Sequence, residues 1–199
     1  ILSGLVGSEM CIRDRDRRTK EGKALFAELE SSGKTILTNS QYELVSGIAL
    51  SVRSHSIALE YLTGGTAEVS LTAEINGVEV RGRCDYLHKN GCIVDLKTTK
   101  SASPRGFAKS VAEYRYHVQA ALYTDLAEAN GLFVPDFTFV AVEKTYPYAV
   151  AVYQLDREAL ERGRDLYMRD LAIYKHCMET DDWPAYPEEV QVLSLPAWA

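Results

Sequence analysis

Asp85 and Asp95 stand ten residues apart, and the second opens the string Asp95-Leu96-Lys97. The first lies in Arg83-Cys84-Asp85-Tyr86-Leu87, the second in Ile93-Val94-Asp95-Leu96-Lys97-Thr98-Thr99, with a polar Lys89-Asn90-Gly91 segment between. Two short apolar runs around an Asn-Gly turn read as a β-hairpin. Side chains alternate along a strand, so Asp95 and Lys97 share one face, about 7 Å apart. With Asn90 at the centre of the turn, Asp85 falls opposite Asp95. Two carboxylates this close repel unless a cation lies between them. Hard oxygen donors of this kind suit Mg²⁺ or Mn²⁺. The plainer reading is a solvated strand face with an aspartate near a turn.

The elements that must position these groups are legible around them. Residues 17–33 and 39–63 read as helices. The second carries an apolar stripe of Val45, Ile48, Val52, His55 and Leu59 at steps of three and four, which turns His55 inward as a core residue or a ligand. Residues 66–75 and 78–86 alternate as strands around Asn76-Gly77, and 92–98 form the next strand. On this phase Cys84 and Cys92 point away from the acids, as reduced core thiols. Ser103-Pro104 starts a helix. The following helix, over 114–128, lines up Tyr116, Gln119 and Tyr123 on one side. Residues 136–144 and 148–155 read as a hairpin around Tyr146-Pro147, and 156–178 as a closing helix. A helix, strands, helices and two more strands make a mixed α/β domain.

The string Gly82-Arg83-Cys84-Asp85, then Ile93 to Thr99 with DLKTT intact, then Tyr116-His117-Val118-Gln119-Ala120-Ala121-Leu122-Tyr123, resembles the PD-(D/E)xK nuclease superfamily. Within it the likeness is to RecE-type exonucleases of the RecB-like branch, found in phages and prophages. It covers roughly residues 17 to 176. The resemblance implies a restriction-endonuclease-like core, a mixed sheet flanked by helices. Asp85, Asp95, Lys97 and Gln119 become the catalytic set. His55, Asp85, Asp95 and the Leu96 carbonyl become the ligands of Mg²⁺ or Mn²⁺. Lys100, Arg105, Lys109, Tyr116, Gln119 and Tyr123 become contacts to DNA. The implied activity is metal-dependent 5′→3′ digestion of linear double-stranded DNA in recombination. The implied partners are a RecT-like single-strand annealing protein and further copies in a ring. The alternative is a catalytically inactive or truncated DNA-binding or scaffold module of the same fold. A metal enzyme acting on a small phosphate ester is a further competitor.

Family members carry an additional N-terminal portion. Here the chain opens Leu2-Ser3-Gly4-Leu5-Val6-Gly7-Ser8-Glu9-Met10-Cys11-Ile12-Arg13-Asp14-Arg15, which looks like translated adapter sequence and lacks the features of a secretory signal. The expectation is therefore a non-native leader over 1–15 and one nuclease domain over 16–199.

Composition bounds the rest. The chain has 199 residues, 46% hydrophobic and 25% charged, as in an ordinary soluble domain. No apolar run reaches a membrane span of about 20 residues. The four cysteines show no CxxC spacing and do not supply the set of an iron–sulfur cluster, and a reducing, cytoplasmic compartment is expected. The net charge of −6 argues against a general nucleic-acid coat. Between Lys97 and Arg115, however, five basic residues accompany one acid. A local basic rim on an acidic body can contact phosphates next to the site; the bland alternative is a solvated loop and helix face.

Overall fold

The computed structural model describes residues 37–195, together with Thr19, Lys20, Lys23, Ala24, Ala27 and Ser31. The leader expected over 1–15 lies outside the described residues. So does most of the helix expected over 17–33, of which those isolated positions from Lys20 onward are helical.

Thr38 opens the first element with a capping box, its side chain and that of Gln41 reciprocally holding backbone N–H groups. Helix α1 (Asn39–Ser54) follows, then α2 (Ser56–Tyr61). The sequence predicts one helix over 39–63; the chain instead breaks at His55, whose backbone is extended. His55 is at once the end of α1 and the N-cap of α2, its Nδ1 accepting from the Ala58 N–H at 3.2 Å. The break also rotates the apolar stripe: Val52 is fully buried, whereas Leu59 is exposed.

Five strands form one sheet in the order β1 (Gly65–Ile75), β2 (Val78–His88), β3 (Ile93–Thr99), β4 (Phe137–Glu143), β5 (Val150–Gln154). All neighbours are antiparallel except β3 and β4, which run parallel. The parallel pair needs a crossover, supplied by α3 (Pro104–Glu113) and α4 (Tyr116–Ala129). Asn76 and Gly77 both adopt positive φ in the β1–β2 turn, as a two-residue hairpin requires. Ser103 caps α3, with Pro104 in its first turn. The final helix, α5 (Arg157–Thr180), starts on an Asp156 cap.

The sheet is buried on both faces. On one, α3 and α4 pack Phe107, Ala120 and Leu126 against Cys84, Ile93, Phe139 and Ala141. On the other, Val52 and Ala58 of α1 and α2 meet Tyr86, Cys92, Val94, Val140 and Val142. Strands β3 and β4 are correspondingly apolar almost throughout, the signature of a strand covered on both sides. Helix α5 lies on α4. Gly163 sits against the His117 backbone carbonyl, where no Cβ fits. Asp125 of α4 takes a bidentate hydrogen bond from Arg164 at 2.7 and 2.5 Å and one from the Tyr167 hydroxyl. Among the described residues no helix is long and apolar enough to cross a membrane.

Candidate active site

Asn90 is the centre of the β2–β3 turn, as the sequence predicts. Its Oδ1 accepts from the Cys92 N–H at 2.9 Å, and the His88 N–H bonds the Cys92 carbonyl across the turn. Gly91 takes φ +92°, a conformation glycine adopts without penalty. The ladder then pairs Leu87 with Ile93 and Tyr86 with Val94, and goes no further. One step on, Asp85 would face Asp95, as the turn geometry requires. There the strands part. The Asp85 carboxylate enters the gap, and its Oδ2 accepts the Leu96 N–H at 3.0 Å. A side chain thus replaces the missing ladder bond. The N–H and C=O of one strand residue point to the same neighbour, so the Leu96 carbonyl faces this gap too.

The parting begins on β1. Glu68 lies across from Asp85 in the register, between the pairs Ala67–Tyr86 and Val69–Cys84, and has φ 57°. A left-handed residue in mid-strand shifts the pleat. Val69 and Cys84 consequently face the α3/α4 layer, while Ala67 and Tyr86 face α1 and α2. This corrects the expected phase of Cys84. Its thiol lies on the same side as the acids, and burial, reinforced by the charges of Asp85 and Asp95, pushes it up to about 11. Cys92 does lie on the opposite side, with its Sγ 3.4 Å from the Thr138 hydroxyl.

Asp95 and Lys97 meet as expected. Asp95 is 2% exposed, and its Oδ2 lies 2.7 Å from Lys97 Nζ. Beyond that ion pair, this buried carboxylate oxygen meets no other donor among the described residues. Gln119 of α4 bridges the pair: its Nε2 donates to Asp95 Oδ1 and its Oε1 accepts from Lys97 Nζ, both at 2.9 Å. The Tyr116 ring lies under Lys97, with its centroid 4.6 Å from Nζ, a cation–π contact. The same ring packs on Phe107 and Phe139, so Tyr116 roots the lysine in the core. Burial holds the Asp95 carboxyl above its usual range; the Asp85 charge adds to this, and Lys97 and Gln119 oppose it.

Two expected members stand elsewhere. His55 spends Nδ1 on the helix cap, which puts the proton of the neutral ring on Nε2. Among the described residues no group of three or more His, Cys, Asp and Glu side chains surrounds a common point, so His55 does not join Asp85 and Asp95. Tyr123 packs over Gly82 of β2, where a Cβ would come within 2.8 Å of its ring, and belongs to the apolar layer between helix and sheet. Lys100, Arg105 and Lys109 are exposed after β3 and along α3, as expected of a basic rim.

The sequence reading missed the supports of this rim. Glu143 Oε1 accepts the Ala102 N–H at 2.8 Å, and the Tyr153 hydroxyl donates to the Ala102 carbonyl at 2.5 Å. Both bonds are long-range in sequence, so no local pattern announces them. Two open clefts of about 500 Å³ each lie instead at the β2–β3 turn beside His88 and Lys89. Neither is lined by Asp85, Asp95, Lys97 or Gln119.

A five-stranded mixed sheet between helices, with the D…DxK acids where β2 and β3 part, defines a PD-(D/E)xK-type domain. Residues 13–196 match the family described as "PDDEXK-like domain of unknown function (DUF3799)". The chain belongs to that family. Among solved structures it is similar to a protein of Eubacterium rectale described as "Putative exonuclease", at 16% identity and a TM-score of 0.67, over 98% of this chain and 89% of that one. A phage-related exonuclease from Haemophilus somnus 129PT aligns at 11% identity and a TM-score of 0.44, over 91% and 95% of the two chains. At 16% identity the likeness to the Eubacterium rectale protein is one of fold. No curated protein matches the sequence.

Proposed function

We propose that this chain is a metal-dependent deoxyribonuclease that hydrolyses phosphodiester bonds of linear double-stranded DNA. The observation that carries the reading is the cluster itself. Asp85 and Asp95 converge where two strands part, and Lys97 is locked beside them by Gln119 and Tyr116. Burying the Asp95 carboxylate, with Asp85 half-buried beside it, is costly to fold around.

The donor set fits a hydrated Mg²⁺ or Mn²⁺. Asp95 Oδ2 is buried with Lys97 as its one partner among the described residues, Asp85 faces the same gap, and the Leu96 carbonyl opens onto it. Two carboxylates and one carbonyl leave room for several waters, as Mg²⁺ prefers. A bound divalent ion supplies Lewis acidity toward the phosphoryl oxygen and lowers the pKa of its water. The remaining work falls to the chain. Lys97 neutralises charge developing on the phosphate. Its ammonium is held against the Asp95 carboxylate, and electrostatic stabilisation suits it better than a role as base. Gln119 fixes both Lys97 and Asp95 in register. Lys100, Arg105 and Lys109 provide phosphate contacts on one rim.

The finer expectations rest on the RecE-type resemblance: 5′→3′ polarity, a part in phage-type recombination, an annealing partner and a ring of copies. The test is digestion of linear duplex DNA, labelled at either the 5′ or the 3′ end, with Mg²⁺ or with EDTA. Nucleotide release that needs the metal and disappears in Asp95→Asn is expected, with the 5′ label freed first. A folded protein that binds Mn²⁺ yet digests no DNA would overturn the reading in favour of an inactive module.

A further inference from the structure

Beyond the site, one exposed aromatic is set into a rigid frame. Strands β3 and β4 run parallel, pairing Thr99 with Glu143, and the Lys144 N–H bonds the Thr99 carbonyl at 3.1 Å. Lys100 and Lys144 therefore leave the sheet side by side, both exposed. Lys97 lies two residues before Thr99, about 7 Å along the strand. Two residues beyond Lys144 stands Tyr146, 86% exposed.

The segment that carries Tyr146 is tied down from below. The Tyr148 N–H bonds the Thr145 carbonyl at 2.8 Å. The Ser51 hydroxyl of α1 donates to the Pro147 carbonyl at 3.3 Å. The Tyr148 ring occupies the space over Gly47, where only a residue without a Cβ leaves room. Tyr148 itself holds φ 58°. An aromatic residue in the left-handed region persists only where its surroundings over-determine it, and such strain clusters at ligand clamps. The Tyr146 ring meets the edge of Tyr148 at 6.1 Å and 83°, which leaves a face of the ring turned to water.

An aromatic face in water, with two exposed lysines on the adjoining strand ends, matches one chemistry well. The ring offers a stacking surface to a nucleobase and the lysines attract the phosphates on either side. We propose that Tyr146, flanked by Lys100 and Lys144, is a stacking platform for an unpaired base of the DNA strand that enters the site. The inference rests on the nuclease reading above and adds to it a preference for ends that carry unpaired nucleotides. A paired base inside a duplex has both faces covered by its neighbours, so the platform distinguishes an overhang from a blunt end.

The experiment uses the full chain carrying Asp95→Asn, so that bound DNA stays intact. Duplexes with a short overhang receive 2-aminopurine at successive unpaired positions, and their fluorescence and affinity are compared with a blunt duplex. Stacking quenches the probe at one position. Tyr146→Ala is expected to abolish that quenching and to weaken overhang binding about ten-fold, with blunt-duplex binding little changed. Tyr146→Trp is expected to retain both signals. Circular dichroism confirms that each variant is folded. Unaltered quenching and affinity in Tyr146→Ala overturn the proposal. Equal losses on overhang and blunt DNA overturn it as well, in favour of a general DNA contact. Binding of no DNA by the Asp95→Asn parent sinks the nuclease reading and the platform together, a result distinct from a defect confined to Tyr146.

Discussion

Asp95 carries the conflict between folding and function in a single side chain. Its carboxyl sits above the usual range because burial and the Asp85 charge outweigh Lys97 and Gln119. An acid with a raised folded pKa binds its proton more tightly in the folded state. Its contribution to stability therefore falls as pH rises from the ordinary carboxylate range. Asp95→Asn removes that slope. Melting curves of both proteins from pH 4 to pH 7 should show the variant gaining on the wild type as pH rises; a constant difference would mean that Asp95 titrates normally. Lys97→Met should lower the cleavage rate by about 10²–10³-fold, with Mn²⁺ affinity retained. Gln119→Met breaks two charge-assisted bonds at once, and about a ten-fold fall in kcat is expected, with KM for DNA nearly constant. Asp95 and Lys97 were legible because DLKTT and its spacing from Asp85 are local; Gln119 entered through the family resemblance, its contact with them being long-range in sequence. His55 read as a core residue or a ligand, whereas the structure shows it capping α2, a role helical periodicity does not register; the polar run Ser54-His55-Ser56 was the available signal.

At the level of elements, α4 is the part of the fold that the site cannot do without, since it carries Tyr116 and Gln119. Its position depends on α5 through Gly163 and the Asp125–Arg164–Tyr167 cluster. Gly163→Ala places a methyl group against the His117 carbonyl and must push the helices apart. Overpacking of this kind costs about 1–3 kcal/mol, so a fall in Tm of roughly 2–10 °C is expected, read by differential scanning calorimetry. Activity at a temperature where the variant is fully folded should fall too, because Gln119 lies two residues from His117. The strand order was partly legible: turn residues located all three hairpins, and short apolar runs marked the strands on either side of Asn90. The left-handed kink at Glu68 was not. Glycine or asparagine would have signalled positive φ, and glutamate does not, so the phase of Cys84 came out reversed.

For the whole molecule the decisive quantity is the arrangement of charge, not its sum. A net charge of −6 repels DNA at long range, while Lys100, Arg105, Lys109 and Lys144 are exposed at the end of β3, along α3 and after β4. Each phosphate contact contributes about 0.9 to the slope of log affinity against log salt. Lys109→Glu should therefore reduce that slope by about one and weaken blunt and overhang DNA alike, measured by anisotropy titrations across a salt series. Equal slopes for the variant and the wild type would remove Lys109 from the interface.

The gap between β2 and β3 also gives the protein a built-in sensor. The Leu96 amide proton has a carboxylate oxygen for a partner in place of a strand neighbour, and that carboxylate is the one a cation would recruit. Titration with Mg²⁺ in ¹⁵N-edited NMR should thus move the Leu96 resonance early and by more than those of Val94 or Thr98. The backbone itself would then report occupancy of the site, with no substrate, label or turnover required.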